Sequence, residues 1–383
     1  MRFIAKTLFG LEKVLAGELA DLGADDIRQA NRAVLFSGSM ELLYTVNYCS
    51  RTALSVLMQI SEFRIRSKDD LYRNGLKVDW GRYLGPNDTF SISPVVNSPF
   101  FSHTGYPGLI LKDAVADYFR KNTGKRPSVD TVDPSLAINL HISNDIVTIS
   151  LDSSVVPLFK RGYRQTAAVA PLNEALAAGI LMLSGWDASA SMTDAMCGSG
   201  TLPIEAAMMA CHIPAGKFRK SYGFEKWKDF DLDLFESVKE YYNNLIINAP
   251  VKIRANDISA EAADQTRSNL LNAGLTDAVR VTVSDFSEMS SEGSGGFIFL
   301  NPPYGQRIKN TEINELYSMI GTSLKHNFPG NTAWLISSNR ESLKKIGLKP
   351  AAKYTLFNGP LECLLLKYEL YEGSRKSRIS DVT

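Results

Sequence analysis

Phe297-Ile298-Phe299-Leu300 runs directly into Asn301-Pro302-Pro303-Tyr304-Gly305, and this junction restricts the fold more tightly than any other stretch of the chain. Four consecutive apolar residues read as a buried strand of a parallel sheet. The proline pair ends it abruptly, because neither ring nitrogen can donate to a ladder and each holds the chain extended. Such a strand stops at its carboxyl end, which is where open α/β sheets receive ligands.

Three earlier stretches repeat the pattern. Residues 191–194 end a strand at Asp194, 253–257 end one at Asp257, and 279–284 lead to Asp285, with helical stretches between them. Residues 333–337 predict a fifth strand, and 354–359 with 362–370 a closing antiparallel hairpin. The spacing therefore predicts a Rossmann-like α/β domain on a seven-stranded sheet. Taken singly, Asp194, Asp257, Asp285 and Asn301 would each serve as a helix cap or turn residue. All four on one sheet edge mark a site.

The chemistry at that edge follows from residue type. Cys197-Gly198-Ser199-Gly200 follows Asp194 and opens a helix, so a ligand can approach the backbone and meet free N–H groups. The Asn301 side-chain oxygen and the Pro302 carbonyl are two acceptors able to grip both N–H bonds of an exocyclic amine and turn its lone pair toward an electrophile, while Tyr304 offers a ring to stack on a base. By itself the stretch also fits a rigid turn with a chance aromatic. A dinucleotide dehydrogenase fits poorly, because the loop lacks a third glycine and Asp257 lies about sixty residues on, where about twenty are expected. No GxxxxGK[ST] occurs, which excludes a P-loop nucleotidase. No cysteine lies near Asn301, so covalent catalysis is not expected, and Cys197 reads as a small packed residue.

Upstream, the sequence predicts a small α/β unit over residues 1–60: a helix over 10–22, a strand at 34–38, a helix over 40–50, and a stretch at 53–60 that periodicity leaves between strand and helix. A strand at 89–96, a helix over 109–123 and a hairpin of 136–142 with 146–151 follow. Lys112, Arg120, Lys121, Lys125 and Arg126 cluster on and after that helix, behind Phe100, Phe101 and His103. They form a candidate phosphate-contacting face, although such clusters are more often merely solvated. A net charge of +1 decides nothing about nucleic acid. The four cysteines and four histidines are scattered, so neither a disulfide framework nor a metal site is expected. No run is long enough to span a membrane and the N-terminus lacks a signal peptide's apolar core, so the expected location is the cytoplasm.

Residues 111–115, 126–130, 150–152 and Arg161-Gly162-Tyr163-Arg164 together resemble a THUMP domain, an RNA-binding module of RNA-modifying enzymes, running into its catalytic partner. Ser154-Val155 departs from the Ser-Gly usual there. Asp194 to Ala206, Asn256-Asp257, Asp285 and Asn301-Pro302-Pro303-Tyr304 stand in the order used by amino-group methyltransferases that depend on S-adenosyl-L-methionine. With Ala170-Pro171-Leu172-Asn173-Glu174 and Gly305-Gln306-Arg307, nearly the whole chain is similar to RlmL-type guanine-N2 methyltransferases of 23S ribosomal RNA, whose members are often labelled adenine-N6 DNA methylases because they share the Asn-Pro-Pro-Tyr motif. Ala195 replaces the usual proline and Ala255 a frequent glycine, and both are small.

The resemblance implies a ferredoxin-like region at 1–60, a THUMP domain at 61–160, a class I methyltransferase domain at 161–373 and a disordered tail at 374–383. It implies that Asn301, Pro302, Pro303 and Tyr304 form the catalytic motif. The backbone at Cys197, Gly198, Ser199 and Gly200 would approach the methionine part of the cofactor, with Asp194 near its amino group. Asp257 would bind the ribose and Asp285 the adenine, while Pro171 and Leu172 would border the cleft. The implied partner is 23S ribosomal RNA or a large-subunit precursor, with no obligate protein partner and no metal. A DNA adenine-N6 methyltransferase and a non-catalytic RNA-binding assembly factor are the rival expectations.

Overall fold

The structure, a computed structural model, describes residues 1–164, 171–248, 252–304 and 310–371. Ala170, the 305–307 part of the motif and the 374–383 tail lie outside the described residues. The chain divides into two compact units. One holds Met1–Thr7, Leu15–Lys160 and Arg219–Tyr241; the other holds Leu8–Val14, Arg161–Phe218 and Tyr242–Thr383.

The first unit is built on β1 (Arg2–Lys6), α1 (Glu12–Asp21, whose first turn falls in the other unit), β2 (Asp25–Ala30), β3 (Ala33–Ser37), α2 (Met40–Cys49), β4 (Ser55–Arg64), α3 (Lys68–Gly75), β5 (Thr89–Asn97), α4 (Tyr106–Thr123), β6 (Ser128–Val129), β7 (Leu136–Ser143) and β8 (Ile146–Asp152). Its sheet runs β2-β3-β1-β4-β8-β7-β5-β6. The ambiguous stretch at 53–60 is the strand β4, settled by pairing with β1 and β8 on its two sides. Sequence periodicity misses β1, β2 and α3. β2 is an edge strand with almost no buried residue, so it carries no alternation to detect. The helix expected from 109 starts at Tyr106, because Pro107 fits the first turn and the apolar stripe begins later.

Residues 219–241 fold with this unit although their sequence neighbours belong to the other. Phe224, Phe230 and Phe235 pack around Tyr44 of α2 with ring centroids 4.6, 5.9 and 5.5 Å away. Lys226 pairs with Asp133, and Lys228 donates to the carbonyls of Gly81 and Leu84. Of the expected basic face, Lys112 and Arg120 each pair with a neighbouring carboxylate, Asp113 and Asp117, at 2.8 Å. Phe101 is buried.

The second unit contains α5 (Glu174–Ser184), β9 (Met192–Asp194), α6 (Thr201–Ala210), the end of α7 (Leu232–Asn244), β10 (Ile253–Asp257), α8 (Ala260–Asn272), β11 (Val279–Val283), β12 (Phe297–Leu300), α9 (Asn310–Asn327), β13 (Thr332–Ser337), α10 (Arg340–Leu343), β14 (Ala352–Asn358) and β15 (Leu361–Glu369). The strand order is β11-β10-β9-β12-β13-β15-β14. Strands β9 to β13 are parallel, and the β14–β15 hairpin is antiparallel, as the spacing predicts. Side chains alternate between two cores. Phe299, Trp334 and Ile336 join α5, α6 and α8 on one face, while Ile298, Leu300 and Leu335 join Ile313, Tyr317 and Ile320 of α9 on the other. From β9 the chain winds outward through β10 and β11, then returns to β12 on the other side, so a crevice opens between the carboxyl ends of β9 and β12.

Val155, where glycine is usual, adopts φ +57°. A β-branched side chain in the left-handed region is strained, and the conformation is held by Asp152, whose Oδ1 accepts the N–H groups of Ser154 and Val155 at 2.9 and 3.0 Å. Val155→Gly should therefore raise stability by up to about 1 kcal/mol, the left-handed penalty less the added chain entropy of glycine. Urea denaturation checks it; a loss of stability would show that the valine's packing outweighs its strain.

Candidate active site

The four polar strand ends meet on one rim of the second unit. Asp194 is the last residue of β9 and Asp257 of β10; Asp285 follows β11 and Asn301 follows β12. They line a cavity of about 750 Å³, within the range of small-molecule sites. Its wall includes every candidate residue read from the sequence except Gly200: Pro171, Leu172, Asp194, Cys197, Gly198, Ser199, Asp257, Asp285, Asn301, Pro302, Pro303 and Tyr304.

The two glycines of the loop serve different ends. At Gly198, φ +55°, a Cβ would meet nothing within 4 Å, so the backbone lies open to the cavity. At Gly200, φ +80°, a Cβ would fall 2.7 Å from the Thr266 methyl of α8. Gly200 is thus required by helix packing as well as by its backbone angle. The loop is tied down on several sides: Asp257 accepts from the Gly198 N–H (2.9 Å), Thr266 donates to the Gly198 carbonyl (2.8 Å) and Asn269 to the Ser199 carbonyl (2.9 Å). Cys197 is buried, and burial pushes its thiol well above the usual range, which suits a packed residue.

Asp194 is 2% exposed, and it accepts a long bond, 3.3 Å, from the Met196 N–H. Burial, reinforced by the charge of Asp257, pushes its carboxyl up to about 8. Asp285 is held below the usual carboxylate range by the N–H and hydroxyl of Ser287, which it accepts at 2.8 and 2.7 Å. Asn301 differs from the open acceptor that the sequence suggests, because the Tyr304 hydroxyl donates to its side-chain oxygen at 2.8 Å. Tyr304 itself packs against the apolar core, and burial raises its hydroxyl far above the ordinary value.

Sequence reading names Arg161, Arg164, Glu174, Glu205 and Asn256 only as parts of motifs and assigns none of them the holding of this rim. Asn256 is fully buried and bonds to the ends of β9 and β11. Arg161 and Glu205, 1% and 0% exposed, form an ion pair at 3.1 Å. Arg164 bonds Glu174 (3.1 Å), the Ser199 hydroxyl (2.8 Å) and the Thr201 hydroxyl (2.7 Å), so it fastens the start of α6 to the start of α5. Two arginines three apart around a glycine were the available signal, but their partners lie 10 to 44 residues away.

Two predictions follow from this burial. Glu205→Gln would leave the Arg161 charge buried without its counter-ion and should cost about 3–5 kcal/mol in chemical denaturation; a loss below 1 kcal/mol would mean that solvent reaches the pair. For Asp194, the folded value lies above the unfolded one, so its contribution is favourable below about pH 4 and is lost as pH rises toward 8. Ligand-free Asp194→Asn should therefore gain on the wild type across that window, by on the order of a few kcal/mol. A pH-independent difference would refute the shift.

Comparisons with known proteins match three parts of the chain. Residues 161–367 match the RMKL-like methyltransferase domain family, residues 2–57 the RlmL ferredoxin-like domain and residues 66–152 the THUMP domain. A candidate RNA methyltransferase of Synechocystis sp. is 35% identical over 96% of this chain and 97% of its own length. The ribosomal RNA large subunit methyltransferase K/L of Psychromonas ingrahamii is 35% identical over 97% of this chain, which spans about half of that relative's length. The crystal structure of SMU.472, a candidate methyltransferase complexed with S-adenosylhomocysteine, aligns with TM-score 0.87 at 26% identity over 97% of this chain and 99% of that one. The cofactor is S-adenosylmethionine, and the cavity fits it in kind: open backbone at Gly198, a buried carboxylate with little satisfaction at Asp194, and apolar wall at Ile258 and Phe286. With its family model matched over more than half of its length, the chain belongs to the RMKL-like methyltransferases.

Proposed function

We propose that this protein methylates the exocyclic N2 amine of a guanine in 23S ribosomal RNA, alone or in a large-subunit precursor. The observation that carries the reading is the continuity of one cavity from Asp194, Gly198, Asp257 and Asp285 to Asn301-Pro302-Pro303-Tyr304. The names of the K/L relatives and the THUMP match support RNA as the substrate.

On this reading Asp194 takes the cofactor's ammonium group, the Cys197–Gly200 backbone its methionine part, Asp257 the ribose and Asp285 the adenine amine, with Pro171 and Leu172 at the border. When bound, the cofactor supplies an electrophilic methyl on a sulfonium. Asn301 Oδ1 and the Pro302 carbonyl accept the two N–H bonds of the amine, which directs its lone pair at that methyl. The amine would take up that methyl and the departing sulfur would stay with the cofactor, so the chain's part is to hold the amine in line, and the surplus proton on nitrogen would leave to solvent. Tyr304 gives up its bond to Asn301 as the base enters, and its ring stacks on the extruded base.

Asn301→Ala should lower methyl transfer by about 10²-fold or more while leaving cofactor affinity in calorimetry unchanged. Unaltered turnover would remove Asn301 from the chemistry. The substrate is tested by nucleoside mass spectrometry of RNA and DNA from cells lacking the gene, with restoration by purified full-length protein and labelled cofactor. Loss and recovery of N2-methylguanosine in large-subunit RNA supports the proposal. Loss of N6-methyladenine from DNA would make the protein a DNA methylase, and RNA binding without cofactor binding would make it a non-catalytic assembly factor.

A further inference from the structure

We propose that Tyr317 of α9 and Asn339, just past β13, are positioning residues that set the angle at which the Pro302 carbonyl meets the target amine. The inference rests on the function proposed above and extends it to residues outside the Asn-Pro-Pro-Tyr motif.

The motif cannot hold its own shape by backbone bonding. Pro302 and Pro303 have no N–H, so the turn that they make must be fixed through its carbonyls. Two side chains do this. The Tyr317 hydroxyl donates to the Pro303 carbonyl at 3.4 Å, and the Asn339 side-chain N–H donates to the Tyr304 carbonyl at 3.3 Å. Both bonds are long enough to tighten when the site fills.

The neighbours of these bonds permit one continuous direction of donation. The Ser337 oxygen accepts the Asn339 backbone N–H at 3.0 Å and lies 2.6 Å from the Tyr317 oxygen. With Ser337 donating its hydroxyl proton to Tyr317, the Tyr317 proton is free to point at Pro303. The chain then runs one way, from Asn339 N–H through Ser337 and Tyr317 to the Pro303 carbonyl. Asn339 is oriented independently, because its side-chain oxygen accepts the Ser342 N–H at 3.0 Å as the cap of α10 and so turns its NH₂ toward Tyr304. Tyr317 and Ser337 are fully buried, so these groups have no water to turn to instead.

The two carbonyls after Pro302 are thus held from the protein side, whereas among the described residues no donor reaches the Pro302 carbonyl itself. Its direction is set by the peptide that follows, whose far end Tyr317 holds. Misplacing an acceptor by a fraction of an ångström weakens alignment in the transition state more than it weakens ground-state binding.

The test is single-turnover methyl transfer by the full-length protein on ribosomal RNA from cells lacking the gene, with cofactor and RNA affinities measured alongside. Tyr317→Phe keeps the ring and should lower the rate constant about tenfold at a temperature well below melting, with both affinities unchanged and a modest fall in melting temperature from the buried Ser337 hydroxyl that it leaves short of a partner. Asn339→Ala should lower the rate constant to a similar extent with both affinities unchanged, and it should also lower the melting temperature, because the α10 cap is lost with it. Tyr317→Phe combined with Ser337→Ala should be no slower than Tyr317→Phe alone, since both cut one chain. If Tyr317→Phe transfers at the wild-type rate, or loses rate only in step with melting temperature, the positioning role is overturned. Should Tyr317→Phe fail to fold, Ser337→Ala alone takes its place, with the same expected loss and the same refuting result. A wild-type protein that transfers no methyl group would instead overturn the function on which this proposal stands.

Discussion

The carboxamide of Asn256 fixes where three strands end. It is wholly buried; its NH₂ donates to the Ala195 carbonyl just past β9 (3.3 Å) and to the Ser284 carbonyl just past β11 (3.0 Å), and its oxygen accepts the hydroxyls of Thr282 and Ser284, each at 2.9 Å. All four hydrogen-bonding positions of the amide are used. Parallel strands lose their ladder at the carboxyl end, where the chain must leave for a helix, and this is where a crevice opens. A side chain that replaces the missing ladder bonds holds that crevice to one width. The next residue, Asp257, is in register to face the cavity, as strand alternation requires. Neighbouring residues thus divide the work between frame and site.

The same division recurs around the glycine loop. Gly198 leaves space and Gly200 lets α8 approach, so substituting either would fail for a different reason. The loop's carbonyls are drawn to Thr266 and Asn269 on α8, while Arg164 grips the hydroxyls of Ser199 and Thr201. Behind it, the buried Arg161–Glu205 pair ties α6 to the segment by which the chain enters the unit. A buried pair is a poor source of net stability compared with apolar packing, but it tolerates one geometry only. That property suits a loop whose backbone must stay open.

The elements that sequence reading finds are those whose burial is periodic. β12 and β13 are buried after their first residue, and α8 starts at the Ser259 cap. The polar strand ends are equally legible, because a polar residue closing an apolar run is unusual wherever it falls. What escapes notice is set by distant partners. β2 buries nothing, α7 buries only Phe235 and Val238, and residues 219–241 pack on α2, nearly two hundred residues earlier in the chain. Tyr317 and Asn339 look ordinary in sequence and gain meaning only from what they touch. Val155 was visible as a departure, but its strain was not.

The bond from Tyr304 to Asn301 bears on how such a site can be both rigid and receptive. An acceptor aimed into a half-buried cavity and left without a donor would cost roughly 1–3 kcal/mol, which would favour collapse of the motif. The Tyr304 hydroxyl removes that cost, and it does so with a single O–H where an amine would bring two N–H bonds. The second acceptor, the Pro302 carbonyl, is not used by Tyr304. On the function proposed here, an incoming amine satisfies both acceptors and the tyrosine only one, so exchange favours a ligand with two donors on one nitrogen. A hydroxyl ligand would merely replace one single bond by another. On that function, a preference for an exocyclic NH₂ over a ribose hydroxyl would follow from the count of acceptors, before any residue reads the base.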